Sequence, residues 1–383
     1  MKRFSLIPTI MATLLATKTL AGNLTVNGNL TVTTNLTAQS ISLGGVTQTS
    51  WPAALAGGYK YVIVAEGTND LERGNNLQAA YTTATTLNPT SSNRVVVLVP
   101  PGSYNLGSSG LTMNTSYVDV IGLVPATMTT KQVFTDTWGI QHTKTVADVH
   151  CSVTISGEIS ASVDDIRIES VVLTGYAPYI SGTNTVLRHV EALWMPIDSD
   201  CPGQYIDCVG GDNCFASGTS WNPAANASGT FIDCVAGNGS FGGDAQISQG
   251  GGNAYGTFID CTAGDYSFGA ASYRVPGVFI GCVAGDESFG GEGATINGTF
   301  INCLGGSDCF GGDSGGSLDN AAKLQHCQGG TGSFGSFSMA SQDFNYNVGG
   351  TNTFLMLPQL PTSTNGLPSG TVYNSSGTLK VMP

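Results

Sequence analysis

Apolar and polar residues alternate in the first recognisable stretch of the chain. Three hexapeptides follow one another: Asn23-Leu-Thr-Val-Asn-Gly28, Asn29-Leu-Thr-Val-Thr-Thr34 and Asn35-Leu-Thr-Ala-Gln-Ser40. Leu24, Val26, Leu30, Val32 and Leu36 take every second place, which is strand periodicity. So short a segment cannot bury its own apolar face, so it is expected to pack on the main body or on copies of itself. Residues 41–57, with Gly44-Gly45 and Trp51-Pro52, read as a linker. Residues 59–65 form an apolar strand, 67–74 a polar loop, and Asn75-Asn76 a helix N-cap. Leu77, Ala80, Tyr81 and Ala84 then fall at i, i+3, i+4 and i+7, one apolar helix face. Residues 95–99 are a run of buried-strand type, broken by Pro100-Pro101-Gly102, and 117–123 form another.

The centre of the chain repeats a phrase. Gln204-Tyr-Ile-Asp-Cys208, Thr230-Phe-Ile-Asp-Cys234, Thr257-Phe-Ile-Asp-Cys261, Val278-Phe-Ile-Gly-Cys282, Thr299-Phe-Ile-Asn-Cys303 and Lys323-Leu-Gln-His-Cys327 align, their cysteines 26, 27, 21, 21 and 24 residues apart. Six residues after each stands Cys214, Ser240, Ser267, Ser288, Cys309 or Ser333, and each of these is followed by Phe. A phrase that is kept while its period varies means stacked coils with insertions confined to loops.

One column of the repeat reports backbone shape. Asp207, Asp233, Asp260, Gly281, Asn302 and His326 precede the cysteines, and all are types that tolerate positive φ. The chain is therefore expected to turn there in left-handed conformation, with the Ile before and the Cys after both facing inward. Residues 168–171 and 187–190 fit the same frame, which gives at least eight rungs. The predicted fold is all-β: a right-handed parallel β-helix, a solenoid whose N-terminal helix caps the mouth and covers strand edges. The expected divisions are a leader over 1–21, a β-repeat stalk and linker over 22–57, the solenoid over 58–343, and a linker with a β-hairpin over 344–383. The hairpin is expected around Asn374-Ser-Ser-Gly377.

Composition narrows the function classes. Only 10% of the 383 residues are charged and 53 are Gly, which suits turns and stacked strands rather than solvated helices. The net charge of −13 argues against nucleic acid and against an anionic membrane surface. Lys2 and Arg3, the apolar stretch 4–16 and the small residues around Ala21 read as a secretory leader cut before Gly22, so the protein is expected outside the cell. No segment has transmembrane length.

The strand–helix–strand opening resembles that of pectate-lyase-like β-helix proteins, a resemblance of fold that covers much of residues 59–340. It implies polysaccharide chemistry, but the catalytic motifs of that superfamily do not carry over. Arg274-Val-Pro276 begins an Arg-x-Pro-x-x-Arg segment, yet Phe279 stands where the second Arg belongs. The hexapeptides and the C-terminal hairpin resemble segments of phage tail fibres and of secreted bacterial surface proteins.

The chemistry-bearing residues have plain structural readings beside functional ones. Six cysteines in one inward column read as small core residues, with Cys201–Cys208, Cys208/Cys214 and Cys303/Cys309 as candidate bridges. The Phe column reads as core. Asp207, Asp233 and Asp260 stack in one column and Asp212, Asp265 and Asp286 in a second; they cap turns or hold Ca²⁺ between rungs. Arg274 and Arg188, with Asp198 and Asp200, are the candidates for a lyase base and its carboxylates. Three functions follow: an extracellular structural or adhesive protein that binds glycan, a polysaccharide lyase or hydrolase with an unfamiliar site, or a phage-type fibre that forms a homotrimer.

Overall fold

The computed structural model describes residues 41–43, 46–48, 59–135, 141–175, 179–192, 201–216, 226–243, 252–270, 274–291, 293–312, 317–319, 322–334, 372–375 and 378–381. For 41–43, 46–48, 128–135, 141–148, 179, 372–375 and 378–381 it gives the backbone course alone. The leader, the hexapeptides and residues 335–371 lie outside the described residues. The described residues are mostly β, with one α-helix among them, Asp70–Thr85. A sheet of fourteen strands contains a continuous path of eleven, from Lys60–Ile63 at one edge to Lys323–Gln325 at the other, and every pairing along the path is parallel. From Tyr205 onward, the phrases of the repeat pair in perfect register, Tyr205 on Phe231, then Phe258, Phe279, Phe300 and Leu324. Each phrase is thus one rung of a solenoid-like stack.

The left-handed column is present and longer than the six phrases. Ser170, His189, Asp207, Asp233, Asp260, Asn302 and His326 have φ between 50° and 58°, and Gly281 has 64°. The side-chain directions differ from expectation. Cys234 is buried after the corner, but Ile232 before it is only half-buried and faces outward; Phe231, one place earlier, is the inward residue. Strand alternation runs up to the corner unchanged, and the left-handed residue itself supplies the turn that puts Cys back inside.

The interior is two interlocked ladders of rings. Tyr205, Phe231, Phe258, Phe279 and Phe300 form one, and Phe215, Phe241, Phe268, Phe289, Phe310 and Phe334 the other. Centroids within a ladder are 4.6–5.0 Å apart and the planes lie 3–9° from parallel. Between ladders the rings meet edge to face at 5.4–5.9 Å. Aromatic pairs favour both geometries, each worth about 0.5–1.5 kcal/mol beyond the buried area. None of the ten cysteines is joined in a disulfide, and all but Cys151 are buried. The six column thiols donate to strand carbonyls, as Cys282 Sγ does to Phe258 O at 3.4 Å.

The helix starts earlier than its apolar face suggested. Its N-cap is Asn69, whose Oδ1 accepts from Glu72 N at 2.9 Å, while the Glu72 carboxylate reaches back to Thr68 N at 2.7 Å. This reciprocal cap outweighs Gly74 within the helix. Gly74 itself is required, because a Cβ there would stand 1.8 Å from Asn105 O. Leu77, Ala80, Tyr81 and Ala84 are buried against the first strands, as the spacing implied. Two hairpins were not anticipated. Ile41–Leu43 pairs antiparallel with Val46–Gln48 across Gly44-Gly45, within the stretch read as linker. Thr127–Thr135 pairs antiparallel with Gln141–His150, an excursion between rungs. The C-terminal hairpin is present as Val372–Ser375 on Thr378–Val381.

Candidate functional site

The polar columns are the natural place to look for chemistry, and three of them are spent on joining rungs. Asp212 Oδ1 accepts from Asn238 N at 2.8 Å, Asn238 Oδ1 from Asp265 N at 2.9 Å, Asp265 Oδ1 from Asp286 N at 2.8 Å, and Asp286 Oδ1 from Ser307 N at 2.6 Å. Each side chain leans over the next rung and takes its amide. The serine column runs the other way. Cys214 N donates to Ser240 Oγ, Ser240 N to Ser267 Oγ, Ser267 N to Ser288 Oγ and Cys309 N to Ser333 Oγ, at 3.1–3.2 Å. A third ladder links Asn253 Nδ2 to Asn226 Oδ1 at 2.9 Å.

The corner between these columns is bent harder than its residue types suggest. The Phe residues 215, 241, 268, 289, 310 and 334 have φ of 51–60°. A left-handed L-residue costs roughly 1–2 kcal/mol, and the buried ring offsets it. Nothing in the residue type announces this, since Phe is not among the residues that adopt positive φ readily.

The first acidic column lies on the outer corner. His189 Nε2 is 3.3 Å from Asp207 Oδ2, one rung apart, and both are partly exposed. Asp233 and Asp260 continue the column toward solvent. Among the described residues, no three His, Cys, Asp or Glu side chains come together as a group able to hold a metal ion. The candidate catalytic arginines are far apart in the architecture. Arg188 is exposed on the outer face of the long sheet, in register between Glu169 and Ile206. Arg274 is exposed at the start of Arg274–Val275, which belongs to a separate three-stranded sheet with Thr295–Ile296 and Ser317–Leu318. Asp198 and Asp200 lie outside the described residues.

A buried charge pair was missed by reading the sequence. Asp119 is fully buried in the strand Val118–Gly122 and takes a two-pronged contact from Arg94, with Nε at 2.9 Å and Nη2 at 2.5 Å. Arg94 also donates to Asp165 O at 2.6 Å and lies 5.5 Å from the centre of the Tyr117 ring. The Asp119 hydrogen bond holds the guanidinium proton more tightly than usual. The signal available was a lone Asp inside an apolar strand. Burial also pushes the thiols up: Cys151 to about 12, and Cys234, Cys261 and Cys303 well above the ordinary range. Thiols so held are protonated at neutral pH and are poor nucleophiles.

The outer face of the long sheet carries two further columns. One reads Ile63, Leu98, Ile121, Glu169, Arg188, Ile206, Ile232, Ile259, Ile280, Ile301 and Gln325. Beside it run Gln204, Thr230, Thr257, Val278, Thr299 and Lys323. Among the described residues no helix is long and apolar enough to cross a membrane. Comparison of the chain with protein families, with curated proteins and with solved structures finds no match.

Proposed function

We propose that the protein is a right-handed parallel β-helix of pectate-lyase-like architecture that serves outside the cell as a rigid structural or adhesive rod, holding glycan at an exposed turn marked by Tyr255. The observation that carries this reading is the use of the polar side chains. In the repeat, carboxylates, serines and thiols each bind the backbone of a neighbouring rung, so the chemistry of the interior and the corners goes into stiffness. The variation in repeat length falls at one place in the sequence of the repeat, after each Phe-Gly pair or its Phe215-Ala216 equivalent, so the residues that differ from rung to rung are gathered there. Tyr255, whose amide donates to Ala227 O, stands at the turn that leads into the strand Thr257–Ile259, with 48% of its surface exposed. An exposed aromatic face suits stacking on a sugar ring. The leader expected over 1–21 from the sequence supports the extracellular setting. A lyase reading draws no support from Arg188 and Arg274, which stand on different sheets.

The test is a panel of acidic and neutral polysaccharides offered to the purified protein, with and without Ca²⁺. Retention on at least one polysaccharide, lost in Tyr255→Ala, with no unsaturated product and no new reducing ends, is the expected result. Turnover of even one substrate would replace the adhesive reading with an enzymatic one.

A further inference from the structure

The outer isoleucine ladder changes its surroundings along the rod. At the first rungs the same outward columns are covered: Val96 and Ile121 are fully buried and Leu98 is 4% exposed, in a cluster separate from the interior core. Glu169 and Arg188 then interrupt the ladder. Beyond them Ile206, Ile232, Ile259, Ile280 and Ile301 stand in direct register on five consecutive rungs, half-buried on the outer face. The parallel column of Thr230, Thr257, Val278 and Thr299 flanks them. No charge falls in either column between Arg188 and Lys323, in a chain of net charge −13.

We infer that this strip is a self-association surface whose occupant is a second copy of the same chain. Three features select that occupant. The outward columns are built to be covered, since the protein buries them at its own first rungs. The strip repeats once per rung, every ~4.8 Å, and a partner can fill every position only if it carries aliphatic groups at that repeat, as another copy does; identical ladders interdigitate into dry contacts for this reason. Two molecules of charge −13 repel wherever their acidic surfaces meet; the strip itself is uncharged but is bordered by the Asp207, Asp233 and Asp260 corner, so association is expected to strengthen as added salt screens that edge. The strip offers nine side chains, fewer than half of the ~20–30 residues a side in a standard interface, so the association is weak and concentration-dependent.

Sedimentation velocity of the full-length protein across the micromolar range tests this. The expected result is a reversible shift from monomer to oligomer in the wild type. Ile259→Lys, whose side chain points outward, is expected to stay monomeric at the same concentrations while keeping the wild-type far-ultraviolet spectrum and melting curve. Ile259→Val retains the ladder and is expected to associate like the wild type. A wild type that is monomeric throughout overturns the inference, as does an Ile259→Lys protein that associates as the wild type does. Loss of polysaccharide retention in Ile259→Lys without any change in mass would assign the strip to a glycan instead.

Discussion

Asp265 Oδ1 lies 1.9 Å from the point that a Cβ on Gly285 would occupy, while it accepts the Asp286 amide at 2.8 Å. The same arrangement recurs at Asp212 over Gly237, Asn238 over Gly264 and Asp286 over Gly306, with gaps of 1.9–2.1 Å. Gly and Asp in this phrase are therefore one device: the glycine clears the space into which the carboxylate of the preceding rung folds. Gly285→Ala is expected to destabilise the protein by about 1–3 kcal/mol through overpacking. Asp265→Ala loses the amide contact at about 1 kcal/mol. Chemical denaturation of the double variant should show a loss smaller than the sum, because removal of the carboxylate makes room for the methyl group.

The buried pair at the first rungs predicts an asymmetric response. Arg94→Met leaves the fully buried Asp119 without its cation, at a cost of about 3–5 kcal/mol. Arg94→Met combined with Asp119→Leu should recover most of that loss, since an apolar pair needs no compensating charge. Equal loss in the single and double variants, read from thermal melts, would refute the account.

Phe279 touches rings above, below and to the side, with Phe258 at 4.8 Å, Phe300 at 4.6 Å, and Phe268 and Phe289 edge-on. Phe279→Ala is expected to cost about 3–5 kcal/mol. Phe279→Leu retains more volume and should cost less. Because solenoid rungs contact only their neighbours, hydrogen exchange should quicken mainly in the strands on either side of the substitution.

The thiols set a pH window. Burial raises Cys151 from an ordinary 9.0 to about 12, and raises Cys234, Cys261 and Cys303 as well. The folded state holds these protons more tightly than the unfolded chain does. Their contribution to stability is therefore complete below pH 9.0 and falls as pH rises from there toward about 12. Melts across that window should decline steadily. Iodoacetamide should label the native protein slowly at neutral pH, at Cys151 before the column cysteines, and label all ten once it is unfolded.

Removal of divalent ions is expected to leave the melting temperature unchanged, because the Asp212, Asp265 and Asp286 carboxylates are engaged by backbone amides. A lower melting temperature in EDTA would show that Ca²⁺ bridges the remaining oxygens of these columns.

Much of this architecture can be read from residue types. A column limited to Asp, Gly, Asn and His announces a left-handed corner, and the corner is there at Asp207, Asp233 and Asp260. The phrase itself fixes which rungs pair. Residues 168–171 and 187–190, which share the phrase only loosely, still place Ser170 and His189 in that corner. Sequence patterns failed where tertiary contacts override local preference. Phe289 at φ 51° is held left-handed by the ring stack rather than by its own propensity. Asn69 caps the helix through Glu72, a reciprocal contact that outranked the later Asn75-Asn76 pair. The outward turn of Ile232 follows from simple alternation once Phe231 is placed inside. Convergence of Arg188 with Arg274 was never encoded locally, and only the sheet order shows them apart.

The rung ladder has a consequence for how such a chain changes length. Every column continues by contact with the equivalent residue one rung away, and the shortest phrases differ by a clean 21 residues, from Cys261 to Cys282 and from Cys282 to Cys303. Excision of residues 262–282 would bring Cys261 next to Val283, which already follows a cysteine in the native order, and the rings, amides and thiols on either side would meet partners of the same kind. Duplication of the same stretch would do the reverse. The length of the stack can thus be reset by whole-unit gain or loss without redesign of any contact, so its span becomes a quantity that recombination alone can tune.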